Sequence, residues 1–286
     1  MSRSWIKTAA VLAAPALGLV GFAGQSDAAI IYGLSENNNI FRFDSNSPEN
    51  IQSGVFVQGL AGAELLNIDF RPATGQLVGL TTDNRIVNIN PDTGTAVTAG
   101  TLSVPLNGTT FGFDFNPTVD RIRIISDTGQ NLRVNPDTGA VTVDGSINPT
   151  GQNIVGAAYT NSFPGATTTT LFTIDSLSDS LYTQNPPNAG TQVLVGPLQI
   201  GPDIIDTTNR VGFDIGPGNE GFASLNETPI SVSDLYLINL QTGGIEFAGQ
   251  IGGGLFVRDI AVVIPEPGTI GLLAVGALLA ARRRRA

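Results

Sequence analysis

The sequence predicts an all-β fold: a five-bladed β-propeller in which a C-terminal strand completes a partial N-terminal blade. Three observations lead there. First, a motif recurs. Asp69-Phe70-Arg71-Pro72 returns as Asp114-Phe115-Asn116-Pro117 and as Asp214-Ile215-Gly216-Pro217. Asp259-Ile260 repeats its first half, and Ala158-Tyr159 fills the remaining slot without the acid. The intervals are 45, 44, 56 and 45 residues, close to the period of a four-stranded blade. Second, the 286 residues include 35 glycines and 17 prolines with only 13% charged residues, which favours strands and tight turns. Third, the two ends of the repeat are complementary halves. An open β-solenoid or a sandwich is the alternative architecture.

Each unit reads in the same order. The Asp strand comes first. Next is an apolar segment, as in Leu77-Val78-Gly79-Leu80, Ile122-Arg123-Ile124-Ile125 and Leu171-Phe172-Thr173-Ile174. An alternating strand follows, as in Ile86-Val87-Asn88-Ile89 and Leu235-Tyr236-Leu237-Ile238. Period-2 alternation and β-branched content make these strands. The turn Asn90-Pro91-Asp92-Thr93-Gly94 recurs as Asn135-Pro136-Asp137-Thr138-Gly139. Proline presets φ, the aspartate can bond the backbone, and glycine takes the left-handed position. A short strand such as Ala96-Val97-Thr98 closes the unit. Residues 30–57 supply only the later strands of a unit, and residues 256–263 supply an Asp strand with nothing after it. Joined, they give five blades over residues 29–264 and a ring without open edges. The longest interval holds the insertion Ala166–Thr170 and the Pro186-Pro187 turn.

Residues 1–28 read as a secretory signal. Arg3 and Lys7 precede an uncharged run, Thr8–Gly24, and Ser26-Asp27-Ala28 offers a small-x-small cleavage site. An N-terminal membrane anchor is the alternative, but the apolar stretch is short for a span. Residues 265–286 form a second address. Pro265-Glu266-Pro267 precedes an apolar run ending at Ala281, followed by Arg282, Arg283, Arg284 and Arg285. As a helix, Gly268–Ala281 would reach about 21 Å, short of the roughly 30 Å hydrocarbon core. The tail thus suits a transient hold at the membrane, with its arginines on the cytoplasmic side. An ordinary tail anchor is the alternative.

Histidine and cysteine are absent, and Lys7 is the only lysine. These gaps exclude Ser-His-Asp and Cys nucleophile chemistry, Cys/His zinc sites and disulfides. Residues 29–264 carry eight arginines and 22 acids, a formal charge of −14. Such a domain repels nucleic acid and tolerates cations. The recurrent acids Asp69, Asp114, Asp214 and Asp259 are therefore the candidate metal ligands, with calcium as the ion they would take. The competing reading is structural: each carboxylate accepts backbone N–H bonds or pairs with arginine to tie blades together. Asp92 and Asp137 are read as turn residues, and Asp203, Asp206, Glu220 and Glu227 as a solvated rim. No cofactor is otherwise indicated.

The Pro-Glu-Pro, apolar and arginine succession resembles the PEP-CTERM sorting signal. The paired Gly-Phe-Asp-Phe-Asn-Pro and Asn-Pro-Asp-Thr-Gly units resemble the bacterial family called domain of unknown function 4394. The first resemblance implies export from a Gram-negative-type cell, a transient inner-membrane hold, exosortase processing and a place at the cell surface or in an exopolysaccharide matrix. The second implies a propeller-like fold and no activity, and it supplies no catalytic residues. The expectation is a monomeric, non-catalytic binding or structural protein whose partners are an exosortase and a matrix polysaccharide or surface protein. The alternatives are a calcium-stabilised structural module and a glycan-active enzyme using paired carboxylates. A glycan enzyme needs one acid and one base or nucleophile at a set separation, and the repeated acids offer no distinct pair.

Overall fold

A computed structural model describes residues 28–227 and 232–264. The signal segment before residue 28 and the Pro-Glu-Pro, apolar and arginine segment from residue 265 lie outside the described residues. Strands β1 (Ile30–Ser35), β2 (Asn39–Asp44) and β3 (Ser53–Phe56) open the chain. Three meanders of four strands follow. The first is β4 (Leu65–Arg71), β5 (Gln76–Thr81), β6 (Arg85–Ile89) and β7 (Ala96–Thr101). The second is β8 (Phe111–Asn116), β9 (Arg121–Ser126), β10 (Asn131–Val134) and β11 (Val141–Val143). The third is β12 (Ile154–Tyr159), β13 (Leu171–Asp175), β14 (Ser180–Gln184) and β15 (Gln192–Pro197). A hairpin of β16 (Gln199–Ile200) and β17 (Asp203–Ile204) precedes the last meander: β18 (Thr207–Ile215), β19 (Gly221–Glu227), β20 (Asp234–Ile238) and β21 (Ile245–Gln250). Strand β22 (Val257–Val262) then returns to the start, giving a first blade ordered β22-β1-β2-β3.

The molecule is thus a five-bladed propeller closed as the sequence predicts. The closing register pairs Ile31 with Val262, Tyr32 with Ala261 and Gly33 with Ile260, antiparallel. Strands β4, β8, β12, β18 and β22 are innermost, and each packs against the next around the ring. The long interval in the repeat has a clear origin. The β12–β13 connection runs from 160 to 170, whereas β4–β5 and β8–β9 are joined by 72–75 and 117–120.

The core is divided among the blade interfaces. Tyr32, Leu34, Leu65, Ile68 and Phe70 form one cluster between the first and second blades. Val78, Leu80, Phe113, Phe115 and Ile122 form the next, and three further clusters complete the circle. Inner strands touch closely enough to require glycine. A Cβ on Gly112 would lie 2.7 Å from the Ala157 nitrogen, and one on Gly212 would lie 2.6 Å from that of Ile260.

The repeated turns are also packing elements. Asn90 Oδ1 accepts the N–H groups of Asp92 and Thr93 at 2.9 and 3.0 Å, and Asn135 Oδ1 accepts that of Asp137 at 2.9 Å. The first-position asparagine, not the aspartate, therefore braces the turn, because its side chain reaches two residues ahead along the chain. Gly94 and Gly139 sit at φ 70° and 73°. A Cβ at either position would come within 2.2 Å of a carbonyl oxygen, that of Phe56 or Thr101, on the outer strand of the preceding blade. The Asn-Pro-Asp-Thr-Gly turns are thus clips between blades.

Candidate functional site

Each recurrent aspartate projects from an innermost strand and reaches across to the next one. Asp69 Oδ1 accepts the N–H of Phe70 at 2.6 Å, and its Oδ2 accepts that of Phe115 on β8 at 2.9 Å. Asp114 accepts the Tyr159 N–H on β12. Asp214 accepts the N–H groups of Ile215 at 2.6 Å and of Val262 on β22 at 2.5 Å. Asp259 accepts those of Ile260 at 3.0 Å and of Ile68 on β4 at 2.9 Å, together with the Asn67 amide at 3.0 Å. These bonds couple four of the five inner-strand junctions. The fifth, β12 to β18, starts from Ala158 and is closed by packing of Gly156 against Phe213 and Val211. Of the two structural options, the backbone one is realised. Among the described residues, the arginine salt bridges go to other acids: Asp83, Asp120, Asp137, Asp144, Glu36 and Glu64.

Three of the four carboxylates converge. One oxygen each from Asp69, Asp114 and Asp214 lies within 4.8 Å of the others. All three are buried, at 3%, 1% and 3% exposure. Asp259 stands apart because its strand is staggered: its carboxylate meets Ile68 and Asn67 instead of the triad. Burial pushes all four acids above the ordinary carboxylate range, and neighbouring negative charge pushes Asp69 and Asp114 further. For Asp214, burial outweighs its backbone N–H bonds and raises the value to about 6. No donor group reaches Oδ1 of Asp114, and the Asp114 side chain lies within hydrogen-bond reach of the Asp214 carboxyl, a bond that requires a proton on one of the two acids.

Above the triad, the inner strands open into a mouth of about 320 Å³. Its lining comes from the first residues of those strands and the loops before them, including Glu64, Asn67, Thr109, Arg210 and Arg258. Arg210 pairs with Glu36 and lies 4.4 Å from the Phe256 ring centroid. Arg258 pairs with Glu64 at 3.3 Å and donates to the Leu65 carbonyl at 2.5 Å. Asn67 joins the two levels, because it lines the mouth and donates to Asp259. Asp69, two residues further along β4, lies roughly 7 Å deeper.

The remaining predicted positions separate. Ala28 is exposed ahead of β1. Pro265, Glu266, Pro267 and Arg282–Arg285 lie outside the described residues. Asp137 is drawn from its turn into a bond with Arg71 at 2.6 Å. Glu227 leaves the expected rim and accepts the Tyr236 hydroxyl; burial first, and that bond second, hold the phenol well above its ordinary range. The charged pairs of the mouth were not anticipated. Their signal is the position of Glu64, Arg210 and Arg258, each just upstream of a recurrent Asp. Arg123 was also missed as a polar hub. It is 1% exposed and bonds Asn131, Asp144 and Asn188 at 2.7, 2.7 and 2.8 Å.

A family profile described as "Domain of unknown function (DUF4394)" matches residues 39–261, and one described as "PEP-CTERM protein-sorting motif" matches residues 263–285. Among solved structures, the chain is similar to a structural genomics protein of unknown function from Bacteroides thetaiotaomicron. Identity is 12%, coverage is 85% of this chain and 69% of that one, and the TM-score is 0.54. A second similarity is to the Dos1 propeller, with 14% identity, coverage of 75% and 56%, and a TM-score of 0.39. No curated protein matches.

Proposed function

Because the chain belongs to the family of domain of unknown function 4394 and ends in the sorting motif of exported, exosortase-processed surface proteins, we propose that it is a non-catalytic propeller that binds matrix polysaccharide through its axial mouth. It acts as a monomer at the cell surface or in the exopolysaccharide of a Gram-negative-type bacterium, after a transient inner-membrane hold. One observation carries this reading: the clustered carboxylates are sealed, whereas the mouth above them is open and polar. A glycosidase needs its acid and its base or nucleophile on either side of an accessible bond. Asp69, Asp114 and Asp214 have no such access.

The direction of the chain supports the same reading. Strand β22 starts beside the mouth at Arg258 and runs through the ring to Val262, so the described chain ends away from the mouth. A chain held by its sorting segment turns its mouth outward. The charge of the domain favours a neutral polymer, or an acidic one bridged by cations.

The test is affinity electrophoresis of the purified chain through gels containing exopolysaccharide from the producing cells, with reducing ends assayed in parallel. The expected result is retardation without new reducing ends. Arg210→Gln with Arg258→Gln should abolish the retardation and leave the melting temperature within a few degrees. Release of reducing ends, or equal retardation of the variant, would overturn the proposal.

A further inference from the structure

We propose that Asp69, Asp114 and Asp214 form a single calcium site on the propeller axis, beneath the mouth. Three observations meet there. The first is distance. Oxygens around one calcium ion, each 2.3–2.6 Å from it, lie up to about 5 Å apart. The three carboxylate oxygens already lie within 4.8 Å of one another, so one ion could reach all three with shifts of a few tenths of an ångström at most.

The second is independent of the clustering. Asp69 and Asp214 use both oxygens on backbone N–H groups. Asp114 is equally buried, yet no N–H group reaches its Oδ1, and its carboxyl instead meets that of Asp214, a contact that without a cation needs a shared proton. A buried carboxylate oxygen left unmatched costs on the order of 1–3 kcal/mol or more. A cation supplies the missing partner. The third is charge. The salt bridges of the arginines go to other acids, so no arginine of those pairs neutralises the three carboxylates.

The donors select the ion. An all-oxygen, anionic set without nitrogen or sulfur suits a hard cation over zinc or copper. Calcium tolerates irregular oxygen geometry, whereas magnesium demands a near-ideal octahedron at shorter distances. The aspartates sit on different blades: Asp69 in the second, Asp114 in the third and Asp214 in the fifth. An ion held by all three would fasten the ring at its centre. Asp259 contributes to the field but not to the ligand set, since its carboxylate lies outside the cluster of three, turned toward Ile68 and Asn67.

The experiment uses the full chain in mild detergent, stripped with chelator. Terbium serves as the probe for calcium, read by luminescence sensitised through tyrosine, with Tyr159 beside the site. The wild type should bind one terbium per chain, release it to calcium, and gain several degrees of melting temperature in 1 mM calcium. Asp114→Asn should lose both responses. Without calcium it should melt at or above the ion-free wild type, because a carboxamide replaces an unmatched charge. Asp259→Asn should keep terbium binding within a few-fold. A wild type with no bound terbium and no calcium response would overturn the site. So would an Asp114→Asn variant that still binds, or loss of binding with Asp259→Asn. Should Asp114→Asn fail to fold, stoichiometry and calcium displacement on the wild type decide alone.

Discussion

In chelator, the propeller should become more stable as the pH is lowered from 7.5 to about 4.5. Most proteins lose stability in that direction, because their carboxylates are favoured as anions. Here the axial acids are favoured as neutral groups. Asp214 is raised from 3.8 to about 6 by burial, and Asp69, Asp114 and Asp259 shift the same way. A folded-state value above the unfolded one means that the native chain takes up protons first. The stabilisation is complete below the unfolded value and lost as the pH rises through the folded one. Asp214 alone is worth roughly 3 kcal/mol in full, of which about 2 kcal/mol is gained by pH 4.5, still above the unfolded value of 3.8. For a domain of this size that is a rise of about 4–8 °C. Acids held low, Asp83 by Thr81 and Arg85 and Asp137 and Asp144 by arginines, respond mainly at more acidic pH and scarcely oppose the trend in this window. Circular dichroism melts at constant ionic strength and fixed chelator give the curve. A melting temperature that is flat or falls between pH 7.5 and 5 would refute the argument that the axial charges are uncompensated.

Two further outcomes follow from the packing. Gly112→Ala places a methyl 2.7 Å from the Ala157 nitrogen and should cost about 1–3 kcal/mol, read by urea denaturation. Arg123→Met leaves Asp144 and two asparagines short of a buried donor and should cost about 3–5 kcal/mol, whereas Arg133→Met, on the half-exposed partner of the same acid, should cost less than about 1 kcal/mol.

Blade number, inner strands and the closing pair were readable because each rests on local alternation and on a repeat that the chain states several times. The Asp motif, with Ala158 in its vacant slot, falls on the strands that the fold places innermost. What the repeat did not carry is the stagger between blades. Asp69 bonds Phe115, one residue past its counterpart in the repeat; Asp214 bonds Val262, three past; and Asp259 bonds Ile68, one before. These offsets are set by side-chain packing at five separate interfaces, so four equal aspartates become a triad and an outlier. Arg123 escaped notice for a related reason. Its partners lie on four other strands or loops, and no one of them is close in sequence except Asn131.

The closing strand also decides how the molecule carries mechanical load. A protein held by its C-terminal segment takes any pull at Ile264, directly after the innermost strand of the first blade. That force runs along β22, parallel to its long axis, and is resisted by the bonds from Ile31, Tyr32 and Gly33 acting together in shear. Bonds loaded this way share the force, whereas bonds peeled from an outer edge would break in succession. Lifetime under tension follows the unfolding rate rather than the equilibrium stability. The Asp214 bond to Val262 adds a second blade to the same load path. For a chain anchored through its C-terminal segment, the ring's seam would be the loaded element, and drag on the blades would pull along β22.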